Sequence, residues 1–126
     1  RRCRTVRDVS LSPISDATSV TLQQALDGLQ RRQDAIAANV ANLETPGYLS
    51  REVDFESSLR SAVASSSPDR FAVTEDRSLA ATRLNGNNVN IDREITLGSE
   101  TLLRQRLVIQ GLNSKYQILR TAITGL

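Results

Sequence analysis

The sequence predicts a mainly α-helical subunit: long N- and C-terminal helices paired in coiled-coil fashion, joined by a short irregular middle with a candidate β-hairpin. Three observations predict it. Heptad periodicity runs through both ends of the chain and fades between them. Only four residues are aromatic (Tyr48, Phe55, Phe71 and Tyr116), too few for a deep monomeric core. The middle is rich in serine, glycine and asparagine, the residues of turns and connectors. At 126 residues the chain has room for one domain, expected over 18–126, preceded by a basic flexible arm over 1–17.

The first helix is expected over about 18–43. Leu22, Leu26, Leu29, Gln33, Ile36, Val40 and Leu43 alternate spacings of four and three, and all but Gln33 are apolar. Gln23, Gln24, Asp27, Gln30, Arg31, Arg32 and Asp34 lie between them as a polar face. Alanines at 25, 35, 37, 38 and 41 raise helix propensity and let a neighbour approach closely. Pro46 disfavours helical angles in the residue ahead of it, so the helix must end before it.

The connecting region, about 44–89, starts with a short serine-rich helical stretch ending near Pro68. From Phe71 to Leu84 there is moderate strand character without clean alternation. Asn85-Gly86 is the strongest short-range hairpin-turn signal, and it motivates the hairpin expectation.

The second helix is expected over about 90–124, with Asn90 or Asp92 accepting from orphan amides at its start. Its four–three alternation passes through Ile91, Ile95, Gly98, Leu102, Gln105, Ile109, Leu112, Tyr116, Leu119, Ile123 and Leu126. Leu103, Leu107, Val108 and Ile118 lie off that line. A helix paired with one partner needs one apolar stripe, so the extra surface points to several neighbours. The assembly seam expected from both helices comprises Leu22, Leu26, Leu29, Ile36, Val40, Leu43, Leu102, Ile109, Leu112, Tyr116, Leu119 and Ile123. Gln33 and Gln105 would fix register at some cost in stability.

Composition also excludes function classes. Sixteen basic and fourteen acidic residues leave a net charge of only +2. There is no histidine, hence no ordinary general base or imidazole metal ligand, and one cysteine (Cys3) cannot form an internal disulfide or a cysteine-based zinc site. Glu44, Glu52, Asp54 and Glu56 form the one local carboxylate cluster; their spacing matches no calcium loop, and solvated surface acids are expected. No catalytic residue, metal site, cofactor or small-molecule substrate is expected, and no stretch is long and apolar enough to span a bilayer. Arg1, Arg2, Arg4 and Arg7 read as a disordered terminus without a cleavable secretory signal. The competing class is a small self-associating coiled-coil protein whose basic arm binds nucleic acid or an anionic surface.

The segment between the first helix and the middle reads Ala38-Asn39-Val40-Ala41-Asn42-Leu43-Glu44-Thr45-Pro46-Gly47-Tyr48. Pro46-Gly47 fits the central pair of a type II turn, with glycine at positive φ. Asn42 and Thr45 can bond backbone groups where the helix ends, and Tyr48 can fold back to offer its hydroxyl to a buried partner. These residues resemble the signature of the flagellar basal-body rod and hook family. Asn39, Asn42, Thr45, Pro46, Gly47 and Tyr48 occupy its positions. Val53-Asp54-Phe55-Glu56 with Leu59, and Asn85 to Glu94, resemble its downstream segments, and the short middle is like that of its proximal rod members. The resemblance implies paired terminal helices that pack helically, in many copies, into a hollow rod joining the membrane base to the distal rod and hook. It implies as partners copies of the chain itself, other flagellar rod proteins, base-ring or adapter proteins, and the flagellar export apparatus. Nucleic acid is not expected. The implied location is the flagellar basal-body rod, reached from the cytoplasm without a cleaved signal. The Arg-rich start has no counterpart in the family pattern.

Overall fold

A computed structural model describes residues 16–125 apart from 66, 68 and 69; the basic arm falls almost wholly outside the described residues. The chain runs α1 (Ala17–Ala41), β1 (Arg51–Asp54), α2 (Glu56–Ala64), β2 (Thr74–Arg77) and α3 (Ile91–Thr124). Asp16 opens α1 by accepting from the Ser19 amide at 2.9 Å. Asn90 opens α3, its side chain accepting from the amides of Asp92 at 3.0 Å and Arg93 at 3.2 Å. Gly125 closes α3 in the left-handed conformation, at φ 68°.

The long helices pair antiparallel, as expected. Lys115 Nζ bonds Asp16 and donates to Ser19 Oγ at 2.9 Å, while at the other end Asn39 meets Glu94. This register leaves the last turns of α3 projecting past the start of α1.

The face that α3 turns inward is not the expected seam but a line rotated from it. Ile91, Glu94, Gly98, Thr101, Gln105, Val108, Leu112, Lys115 and Leu119 are all buried or half-buried, spaced alternately three and four. This line shares Ile91, Gly98, Gln105, Leu112 and Leu119 with the apolar one. Elsewhere it takes the residue one position earlier: Glu94, Thr101, Val108 and Lys115 in place of Ile95, Leu102, Ile109 and Tyr116. Polar residues make the intramolecular contact because each finds a partner there. Thr101 donates to Leu97 O at 2.7 Å, Glu94 accepts from Asn39, and Lys115 bonds Asp16.

The core sits where β1 and α2 cover one side of α1. Leu29, Ala35, Val53 and Phe55 are buried together, with Leu59, Phe71, Val73 and Val108 packed around them. Gly28 makes this possible: a Cβ there would fall 2.4 Å from the Phe55 ring. Phe71 meets Phe55 edge-on, with centroids 6.4 Å apart, and the Arg32 guanidinium lies 4.9 Å from the Phe55 centroid. Half of the aromatic residues are thus spent on one small core.

The hairpin expectation is corrected. The middle does hold a two-stranded antiparallel sheet, pairing Arg51 with Arg77 and Asp54 with Thr74, but its strands are joined through α2. Asn85-Gly86 lies after β2 and turns the chain into α3 instead. Strand structure within Phe71–Leu84 is confined to Thr74–Arg77, whose four residues are all exposed and offer little apolar surface.

Candidate assembly surface

The motif segment and the asparagine-rich segment before α3 form one polar junction. Asn39, 1% exposed on α1, spends its whole amide there. Its Oδ1 accepts from Arg51 N at 2.8 Å and from the Tyr48 hydroxyl at 3.3 Å; its Nδ2 donates to Arg51 O at 2.9 Å and Glu94 Oε2 at 3.2 Å. The end of α1 leaves carbonyls without helical partners. Asn42 Nδ2 returns to Ala38 O at 2.8 Å. Asn87, fully buried, donates to the carbonyls of Asn42, Leu43 and Thr45 at 2.8–3.1 Å and accepts from Val89 N at 2.7 Å. Asn88 accepts from Ser50 N at 2.6 Å and donates to Ser78 O at 3.0 Å.

Two glycines make the approach possible. Gly47 has φ 72° and Gly86 φ 78°, angles that other residues resist. The Gly47 amide donates to Asn85 O at 2.9 Å, and a Cβ on Gly86 would lie 3.3 Å from Gly47 Cα. Thr45 O accepts from Tyr48 N at 3.3 Å, closing the turn around Pro46-Gly47.

Beside the junction, arginines bind the middle to the helix pair. Arg32 donates to Val53 O at 2.9 Å and clamps both Glu56 oxygens, and Arg104 reaches Glu56 at 2.8 Å from α3. Arg93 pairs with Glu52 at 3.0 Å. Two members of the carboxylate cluster expected to be solvated are therefore structural anchors. Burial pushes the Glu56 carboxyl up, but the Arg32 hydrogen bond and charge hold it on balance below its ordinary value. At Glu94 burial wins over the Asn39 hydrogen bond and raises the carboxyl. Lys115, with the Ser19 amide, holds Asp16 down to about 2. Its contribution to stability is therefore present above the ordinary carboxylate value and lost as pH falls toward 2. Among the described residues no group of carboxylates or thiols converges with the geometry of a metal site.

The outer face of α3 is of opposite character. Ile95, Leu102, Ile109, Tyr116 and Ile123 recur every seventh residue and are 59%, 44%, 43%, 41% and 84% exposed. Leu103, Leu107 and Ile118 are exposed beside them. Of the residues expected on the seam, Leu29, Ile36 and Leu112 are buried within the chain, and Leu22, Leu26, Leu43 and Leu119 are half-buried. Val40, Leu102, Ile109, Tyr116 and Ile123 remain open to solvent. Gln33 lies at the helix pair, and its Oε1 is covered without a hydrogen-bond partner among the described residues. Periodicity found the apolar stripe; it missed Asn87, Asn88, Glu94 and Gly28. The asparagines read as turn composition, and the other two act through partners distant in sequence.

A small core, a fully bonded polar junction and a long uncovered apolar stripe define a structural subunit built to be packed by others. Residues 21–48 match the model of the flagella basal body rod protein family. The chain is 29% identical to flagellar basal body rod protein FlgB of Bacillus subtilis, over 86% of this chain and 94% of that one. It is 28% identical to FlgB of Salmonella typhimurium, over 87% and 95%, and 28% identical to FlgB of Escherichia coli, over 79% and 88%. The likeness to the FlgB proteins runs through most of the chain's length.

Proposed function

We propose that this chain is a structural, non-enzymatic subunit of the proximal flagellar rod, polymerising through its terminal helices into the hollow shaft between membrane base and distal rod and hook. The observation that carries the assembly reading is the outer stripe of α3. Five large side chains at heptad spacing are left to solvent, while the opposite face of the same helix is satisfied by α1. Apolar burial contributes about 25 cal/mol per Å², so covering this stripe is the largest favourable term the described surface offers.

The same reading gives the chain as partners its own copies, other rod proteins, base-ring or adapter proteins, and the flagellar export apparatus, through which it leaves the cytoplasm without a cleaved signal. A self-contained coiled-coil dimer is less well supported, because α1 already spends its inward face on α3, β1 and α2 within one chain. The basic arm on which nucleic-acid binding would depend lies outside the described residues.

The test uses paired alleles. Ile109 is half-exposed on the stripe, and Gln110 is its exposed polar neighbour. Ile109→Asp abolishes motility and recovery of the subunit in purified basal bodies, with the protein still made and folded; Gln110→Asp leaves both intact. Full motility with Ile109→Asp would remove the stripe from rod assembly. Leu112→Asp would not serve, because Leu112 is buried inside the subunit and its loss would confuse folding with assembly.

A further inference from the structure

We propose that the projecting end of α3 docks into the α1–α3 groove at the opposite end of a second copy of this chain, so that each subunit carries one plug and one socket. This rests on the rod-subunit reading and adds which two surfaces meet.

The plug follows from the helix register. Lys115 is held at Asp16 and Ser19, so residues 118–124 run roughly 10 Å beyond the first turn of α1. Tyr116, Leu119 and Ile123 line an almost wholly apolar depression of about 280 Å³ on this end.

The socket lies between the helices near the polar junction. It is a groove of about 520 Å³, to which β1 and α2 contribute nothing. Ala37, Ala41 and Gly98 keep it open, while Val40, Ile95 and Leu102 supply apolar walls. A Cβ on Gly98 would meet only Ile36, at 3.8 Å, among the described residues.

The occupant is a second copy for three reasons. A single 34-residue helix cannot bring its own last turns back to its first, so the two surfaces never meet within one chain. Charge is also complementary along α3. Its first ten residues carry Asp92, Glu94 and Glu100 against Arg93; from Thr101 onward it carries no acid, and with Arg104 and Lys115 paired inside the chain to Glu56, Glu100 and Asp16, Arg106 and Arg120 supply its basic surface. Glu44 adds to the acidic end, where the last turn of α1 holds no basic residue. Finally, the two patches are unlike and open at opposite ends, so their union is heterologous and does not close on itself, as growth of a filament requires.

Sedimentation of the purified full chain over rising concentration tests this with two variants. Ile123→Asp spoils the plug at a side chain 84% exposed, and Ala37→Arg fills the socket from an exposed position; Ala41→Arg replaces it should Ala37→Arg disturb the helical circular dichroism. Wild type forms a concentration-dependent ladder of oligomers. Each variant alone associates at least tenfold more weakly, and an equimolar mixture forms a dimer and nothing larger, through the one intact plug and the one intact socket. A wild-type ladder with a monomeric mixture, or with either variant associating normally, overturns the plug-and-socket pairing and leaves the rod reading standing. A wild type monomeric at every concentration overturns the pairing, while the rod reading stands or falls on the motility of the Ile109→Asp allele. An Ile123→Asp variant that melts lower, with oligomeric state unchanged, assigns the patch to residues 1–15 of the same chain and overturns the pairing.

Discussion

The junction around Asn39 and the outer face of α3 lie in one small chain and obey opposite rules. At the junction nearly every polar group is buried and bonded, by side chains that serve backbone atoms from three separate segments. On α3, large apolar side chains stand in water with none of the described residues over them. The first region is finished within the monomer; the second is finished only by a neighbour. Substitutions should therefore divide cleanly. Those at the junction lower stability and affect assembly only through folding, and those on the stripe abolish assembly while stability stays put.

The largest effect on stability is expected at Asn39. Asn39→Leu strands the part-buried amide and carbonyl of Arg51 and removes the donor to Glu94, costing about 3 kcal/mol. A urea midpoint within error of wild type would show the junction to be decorative. Gly47→Val comes next, at roughly 1–2 kcal/mol, because φ 72° is strained for a β-branched residue although no atom crowds the site. Gly47→Ala, assayed beside it, should lose nearly as much, since the penalty is conformational and not steric.

Glu94 sharpens the comparison through pH. Its carboxyl is raised by burial, so its charged form is disfavoured in the fold. The stabilisation it lends is full below the ordinary value near 4.5 and disappears as pH climbs through the elevated folded value. Glu94→Gln keeps an acceptor for Asn39 and takes no part in this titration. It should melt higher than wild type at pH 7 and show a flatter profile from pH 4 to 7, read by thermal denaturation. An unchanged profile would mean that Glu94 is solvated in solution. The smallest change is Gln33→Leu, which removes a covered acceptor without a partner and should add about 1 kcal/mol. A loss there would show that Gln33 sets the helix register.

Much of this architecture was legible in sequence because helices announce themselves locally. Both long helices, the Asn90 cap, the turn at Pro46-Gly47 and the folding back of Tyr48 all follow from residues within a turn or two of one another. The rotation of α3 was not legible. Periodicity marks where apolar residues lie but not which of two apolar-flanked faces the chain itself will use, and the chosen face contains Glu94, Thr101 and Lys115. The burial of Glu94 and Lys115 depends on Asn39 and Asp16, dozens of residues away. The hairpin was misplaced for a related reason: Asn85-Gly86 supplies the turn chemistry, while Asn87 and Asn88 commit that turn to the end of α1. Gly28 carries no local signal of its role, which appears only with Phe55 seated against it.

The two lines along α3 intersect at Ile91, Gly98, Gln105, Leu112 and Leu119, and this has a genetic consequence. Those five positions answer to both the subunit's own fold and the surface beside it, so a change at any of them meets two separate tests. The residues on one line only answer to one. In a saturation library scored separately for protein abundance and for swimming, tolerance along this helix should therefore beat with a period of seven. Positions failing both assays should alternate with positions failing swimming alone, and suppressors of the latter class should map to other chains or to distant surfaces of this one.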